Sequence, residues 1–307
     1  MKYLILGTGG TGGCIGGFLA NNAKNVTFIA RGAHLEAIKE KGLVVHSFEN
    51  GEIELKNVKA HSGDEEFEKV DVIFVCVKGY SMNEAIPVIR KAAHKNTIVI
   101  PILNTLSAGE KLGAALPGII VLDGCIYISA YISAPGEITQ GIKIFRLVFG
   151  PRENTKVDMS LLEKIQEDLA KSSIDGVLTD NIKCEIFKKF SFTSAYASTG
   201  AYYDVVAGEI KKEGKYREMF IVLIKELQKV AEALNVKLSD SFIRDNLDIL
   251  DGLTSDTTAS LQKDIKAGKK DERDELIFDV VRIAHNYGVK VPNYSKISRN
   301  FGYEHGV

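Results

Sequence analysis

The stretch Met1-Lys-Tyr-Leu-Ile-Leu-Gly-Thr-Gly-Gly-Thr-Gly-Gly13 decides how this chain is read. An apolar run from Tyr3 to Leu6 breaks into Gly-x-Gly-x-x-Gly at Gly7, Gly9 and Gly12, and a second apolar group, Ile15 to Leu19, follows. Strand, glycine turn and helix in that succession form the entrance of a dinucleotide-binding βαβ unit. Gly7 makes the tight turn, Gly9 lets backbone approach a pyrophosphate, and Gly12 brings the helix close to its strand. The phosphates would rest on free N–H groups at the helix start, so the expected cofactor-facing residues are Gly7, Thr8, Gly9, Gly10, Thr11 and Gly12. The bland alternative is a flexible glycine loop with no ligand.

The end of the next strand bears on which dinucleotide binds. Val26-Thr-Phe-Ile-Ala30 reads as that strand, and an NAD site would put an acid at its end, about 20 residues past the glycines, to hold the ribose 2′-hydroxyl. This chain has Ala30-Arg31-Gly32 there, with its first acid, Glu36, on the following helix. The planar guanidinium of Arg31 suits a 2′-phosphate, so NADPH is the expected cofactor; the alternative is an ordinary solvated arginine.

A length of 307 residues suggests two domains with a cleft between them as the expected site. Lys+Arg 39 against Asp+Glu 40 gives a formal net charge of -1 without a basic block, which argues against nucleic acid or an anionic membrane as partner. Cys14, Cys76, Cys125 and Cys184 are scattered, with no disulfide-scaffold density and no Cys-x-x-Cys, which fits a reducing cytoplasm. Tyr3 to Leu6 is too short for a signal-peptide core, and no run approaches the eighteen or so apolar residues of a membrane span. His34, His46, His61, His94, His285 and His305 show no ligand spacing, so no metal site is expected.

Leu4 to Leu6, Val26 to Ala30, Val72 to Val77, Thr97 to Leu103 and Ile119 to Leu122 are continuous β-rich runs, the signature of a parallel sheet covered on both faces. Gly42 to His46 with Ile53 to Val58 reads as a hairpin insertion, and Ile138 to Phe149 as antiparallel strands closing the sheet. From Asp180 the spacing turns helical: Ile182, Ile186, Phe190, then Phe220, Leu223, Ile224, Leu227 and Val230, then Leu276 to Tyr287, stopped by Gly288 and Pro292. The expected class is therefore an α/β N-terminal Rossmann-type doubly wound sheet over residues 1–179, followed by an all-α C-terminal domain over 180–307.

Val77-Lys78-Gly-Tyr80, Asn104 after Ile102-Leu103, Pro135-Gly136-Glu-Ile and Phe149-Gly150 stand in an order and spacing that resemble the ketopantoate reductase family, whose fold is 6-phosphogluconate dehydrogenase-like. The likeness runs over essentially the whole chain. It implies that Lys78 and Ala130 lie beside the cofactor and that Asn104 touches both nicotinamide and substrate. Phe187-Lys188-Lys189-Phe190 resembles the family's Trp-x-Lys-Leu, which carries the catalytic lysine onto Lys189. A ketone oxygen gaining charge as hydride arrives needs a proton donor, and an ammonium supplies one. Read from the helix alone, Lys188 and Lys189 are equally a surface pair. Ser260-Leu-Gln-Lys-Asp264 and Glu272-Arg-Asp274 are similar to the family's Ser-Met-x-x-Asp and Thr-Glu-Ile-Asp, which implies a substrate-binding Ser260 and a catalytic, cofactor-side Glu272. Read locally, Lys269 to Glu275 is a solvated mixed-charge helix start.

The substrate side departs from the family. Thr193 and Ala197, on the Lys189 face at i+4 and i+8, stand where asparagines are usual; Ala207 and Thr257 replace two more, and Thr105-Leu106 replaces Gly-Val. Lost donors cost a polar-substrate site its discrimination. The resemblance implies NADPH-dependent reduction of 2-dehydropantoate to pantoate, toward pantothenate and coenzyme A, with Asn104, Lys189, Thr193, Ala197, Thr257 and Ser260 around the 2-oxo acid. The rivals are a relative acting on a different 2-oxo acid and a non-catalytic NADPH-binding regulator. The resemblance also allows a homodimer.

Overall fold

A computed structural model describes residues 1–304; His305 lies outside the described residues. Contacts divide the chain into two units, 1–103 with 107–182, and 104–106 with 183 onward. The second boundary falls three residues beyond the expected Thr179–Asp180, and the assignment of Asn104–Leu106 to the second unit was not foreseen.

The first unit runs β1 (Lys2–Leu6), α1 (Gly10–Asn21), β2 (Asn25–Ile29), α2 (Gly32–Lys41), β3 (Leu43–Ser47), β4 (Gly51–Leu55), β5 (Lys59–His61), β6 (Val70–Val75), α3 (Met82–Ala92), β7 (Ala93–Pro101), α4 (Ala108–Ala115) and β8 (Ile120–Val121). It continues with β9 (Asp123–Tyr127), β10 (Ala130–Ala134), β11 (Glu137–Gln140), β12 (Arg146–Gly150), α5 (Met159–Lys171) and β13 (Asp175–Leu178). Six strands form an all-parallel sheet in the order β5-β2-β1-β6-β7-β8. Its strands are apolar without interruption because both faces are covered. Tyr3, Ile5, Phe28, Phe74, Ile98 and Ile100 point into one buried cluster, while Leu4, Leu6, Ile29, Ile73, Val75 and Val99 point into another. Alternation by two within each strand thus feeds two cores rather than one core and solvent. The strand order reverses direction at β1, so the glycine turn after Leu6 opens at the sheet's switch point, where open α/β sheets bind ligands.

The expected hairpin is β3–β4, but it does not stand alone. It joins β10 and β11 in a four-stranded sheet, with β11 parallel to β3. The expectation that Ile138 to Phe149 would close the main sheet is corrected: β12 pairs with β9 and β13 in a third, separate sheet.

The second unit is helical: α6 (Ile182–Tyr203), α7 (Ala207–Ile210), α8 (Lys215–Ala233), α9 (Phe242–Gly252), α10 (Ser260–Lys266), a π-type turn at Asp274–Phe278 leading into α11 (Asp279–Asn286), and α12 (Pro292–Asn300). Phe187, Phe190, Phe220, Leu223, Ile224, Leu227, Leu276, Val280 and Tyr294 share one buried core. Pro292 both follows the stop at Gly288 and starts α12, a position where its missing N–H costs nothing. Among the described residues no helix is long and apolar enough to cross a membrane.

Candidate active site

In the first unit the glycine turn is held rigidly from below. The N–H groups of Gly7 and Thr8 both donate to the Ile29 carbonyl, at 3.2 and 2.9 Å. The Thr8 hydroxyl donates to the same oxygen at 2.9 Å and is buried. Thr8, expected among the cofactor-facing residues, thus directs both its N–H and its hydroxyl to β2. Gly12 has a packing reason to be glycine, since a Cβ there would run into the Gly7 carbonyl, and at Gly10 one would run into the carbonyl of Ala130. That contact sets Ala130, at the start of β10, beside the loop. Gly9 differs. Its φ of -83° suits any residue, and a Cβ on it would meet nothing within 4 Å. No protein atom requires glycine there, whereas a phosphate approaching bare backbone would. Gly9 caps α1 without a side-chain bond, and the first turn of α1, which holds Thr11, carries no acid to compete with an anion. The turn fits a dinucleotide.

His34, whose spacing suggested no ligand role, lies against the Pro135-Gly136 turn. Its Nδ1 accepts the Gly136 N–H at 2.9 Å, and burial lowers its pKa against a hydrogen bond with the Thr8 backbone. The ring thus fastens the Pro135-Gly136 turn through Nδ1. No signal in residue spacing marked it.

Further along the same strand ends, a cleft of about 520 Å³ is lined by Leu6, Ile29, Arg31, Ser62, Glu84 and Lys91 among others. Arg31 precedes α2 and pairs with Glu84 of α3 at 2.8 Å, both side chains being mostly exposed. The guanidinium expected to take a 2′-phosphate thus already faces a carboxylate. Lys78, half-buried, precedes the short 3-10 turn Gly79–Ser81 after β6.

In the second unit the two adjacent lysines separate. Lys188 points to Glu185, one turn back, at 2.8 Å, and the pair raises its pKa. The ammonium of Lys189 donates instead to the side-chain oxygen of Asn104. The structure therefore brings Lys189, expected to be catalytic, together with Asn104, expected to touch nicotinamide and substrate, within one unit. Glu272 is 3% exposed, so the solvated reading of the charge run fails at this residue and at Glu275, although Lys269, Lys270 and Asp274 do face solvent. Burial, with the carboxylates of Glu272, Asp274 and Asp279 nearby, pushes Glu275 up to about 7 against an opposing backbone hydrogen bond.

The substrate-side expectations fare less well. Ala197 lies in the second core, 1% exposed, and cannot border a substrate in this arrangement; Ala207 is equally buried. The Thr193 hydroxyl donates back to the Lys189 carbonyl at 3.0 Å, the habit of threonine inside helices. Thr257 shares a 2.8 Å hydrogen bond with Thr254, and Ser260 is exposed at the start of α10. No group of three or more His, Cys, Asp or Glu among the described residues is arranged to hold a metal ion.

Residues 3–154 match the sequence model of ketopantoate reductase PanE/ApbA, and residues 181–301 that of its C-terminal domain. The chain belongs to the ketopantoate reductase family. It is 26% identical to "Uncharacterized oxidoreductase YkpB" of Bacillus subtilis, over 98% of this chain and 97% of that protein. It is 27% identical to the 2-dehydropantoate 2-reductase of Pyrococcus horikoshii, over 95% and 93%. Among solved structures it resembles 2-dehydropantoate 2-reductase from Porphyromonas gingivalis, with a TM-score of 0.82, 29% identity and 99% of each chain covered. Membership makes the chain an NADP-dependent oxidoreductase acting on a CH–OH group, with NADPH as cofactor.

Proposed function

We propose that this protein reduces a 2-oxo acid to the 2-hydroxy acid, most simply 2-dehydropantoate to pantoate, a step toward pantothenate and coenzyme A. The observation that carries the reading is the hydrogen bond from Lys189 to Asn104, with Lys188 drawn away to Glu185. Bound NADPH supplies the hydride. The chain's own groups do the rest. Gly7, Gly9, Gly10, Thr11 and Gly12 receive the pyrophosphate, with Ala130 and Lys78 alongside, and Arg31 takes the 2′-phosphate. Asn104 orients the nicotinamide and the substrate carbonyl. Lys189 stabilises the oxygen as charge develops on it and then delivers a proton from Nζ. Ser260 holds the substrate, and the buried Glu272 carboxylate orients it.

A second reading, a different and less polar 2-oxo acid, is favoured by Thr193, which spends its donor on its own helix. Assaying NADPH oxidation against a panel of 2-oxo acids separates the two. Clear preference for 2-dehydropantoate supports the first, and preference for an apolar analogue the second. Turnover of none of them by protein that binds NADPH would leave only a cofactor-binding, non-catalytic role.

A further inference from the structure

We propose that Asp279 is a positioning residue for the Lys189–Asn104 pair and acts through the hydroxyl of Thr105. The inference rests on the reading of that pair as reaction-facing. Two neighbouring side chains anchor the strip Asn104–Leu106. Asn104 accepts from Lys189, and Thr105 Oγ1 donates to Asp279 Oδ2 at 3.4 Å. Thr105 and Asp279 are each 6% exposed, so this contact is shielded from water.

Asp279 is itself fixed. Its Oδ1 accepts from Arg282 Nε at 3.1 Å and Nη2 at 2.8 Å. Arg282 reaches on to Asp274 with two parallel bonds of 2.9 and 2.8 Å. A buried carboxylate held by a guanidinium fork has little freedom, because losing the partner leaves a charge out of water. Asp274 opens the π-type turn and Asp279 follows it, so the turn's wider spacing sets the register between the two carboxylates that Arg282 bridges. The order of dependence is Asp274 and Arg282 to Asp279, Asp279 to Thr105, and Thr105 to the backbone that carries Asn104. The hydroxyl at 105 has a use that glycine, usual there in the resemblance drawn above, would not supply.

The test is steady-state kinetics of Thr105→Val and Thr105→Ser on whichever 2-oxo acid the unmutated protein reduces, beside Lys189→Ala. Valine keeps the shape and removes the donor. A displacement of about 1 Å in a positioning group costs on the order of 100-fold, so kcat of Thr105→Val should fall roughly 10- to 100-fold. NADPH affinity should stay within about twofold of the parent, and Thr105→Ser should recover most of kcat. Thermal melting confirms folding, and Thr105→Ala serves if valine does not fit. If Thr105→Val turns over like the parent while Lys189→Ala is crippled, the positioning role is wrong and the reading of Lys189 stands. If serine is as impaired as valine, the hydroxyl is not the agent and the proposal is overturned. If Lys189→Ala is itself unimpaired, the underlying reading has failed and the proposal goes with it.

Discussion

Replacing Gly9 by alanine separates ligand fit from folding more cleanly than any other change in the glycine turn. The added methyl meets no protein atom within 4 Å, and the backbone at φ -83° and ψ -164° is open to alanine. Alanine is a poorer helix cap than glycine, so a stability loss of up to about 1 kcal/mol is expected and no more. The methyl would occupy the space through which a pyrophosphate reaches the first N–H groups of α1. Hydrogen bonds to charged oxygens are worth about 1.5–3 kcal/mol each. Denying one of them should weaken NADPH binding by roughly 10- to 100-fold, at tenfold per 1.4 kcal/mol. Fluorescence titration of NADPH with a parallel urea melt reads both quantities. Gly12→Ala is the control: its methyl strikes the Gly7 carbonyl, so it should lose stability and binding together. Unchanged NADPH affinity in folded Gly9→Ala would refute the assignment of this loop to the pyrophosphate.

Other consequences are equally checkable. Glu275 has a folded-state pKa raised to about 7 by burial and neighbouring carboxylates, so ionising it opposes the fold. Stability is greatest where the group is protonated and falls as pH rises from the ordinary carboxylate range to about 7. At 1.36 kcal/mol per unit the cost above that range is about 3 kcal/mol. Glu275→Gln should therefore gain up to that much over the parent near pH 8 and almost nothing near pH 4.5 in urea melts; equal gains at both would contradict the assignment. In the cleft by α2, Arg31→Ala should weaken NADPH binding at least about tenfold and NADH binding little, as expected for a lost charge-assisted phosphate contact. Removing the competing carboxylate with Glu84→Gln should tighten NADPH by no more than about fivefold, the size of an exposed ion pair; a loss of NADPH affinity in that variant would contradict the competition.

The parallel sheet was legible because strands covered on both faces leave an unbroken apolar record, as in Val72 to Val75. The sheet partners of the later strands were not. β11 pairs with β3 across about ninety residues of chain, and nothing local in Ile138 to Gln140 encodes that choice. The strand, glycine turn and helix were legible, and so was the close packing at Gly12, but the Thr8 hydroxyl could face a ligand or its own fold with the same sequence. Lys188 and Lys189 looked alike as a dipeptide, yet a signal was present: Glu185 stands three residues before Lys188, the spacing of a helical ion pair. Glu272 was obscured by a charge run in which Lys269, Lys270 and Asp274 are exposed as they look, while Glu275 is not. A turn that gains a residue, as at Asp274–Phe278, shifts which side chains face inward without leaving a mark in the 3.6 periodicity. Ala197 was misplaced for the opposite reason: the periodicity put it correctly on the Lys189 face, but that face is already core by the second turn beyond.

The most direct test of the whole account compares Lys189→Ala with Lys188→Ala, two substitutions one residue apart on α6. Turnover of the best 2-oxo acid and NADPH affinity are measured for each. Proton donation and charge stabilisation are typically worth about 100-fold or more. Lys189→Ala should therefore lose at least that factor in kcat while binding NADPH within about twofold of the parent, and Lys188→Ala should lose only a surface ion pair and keep its rate. Similar, mild effects of the two substitutions would contradict the assignment of the reaction to Lys189.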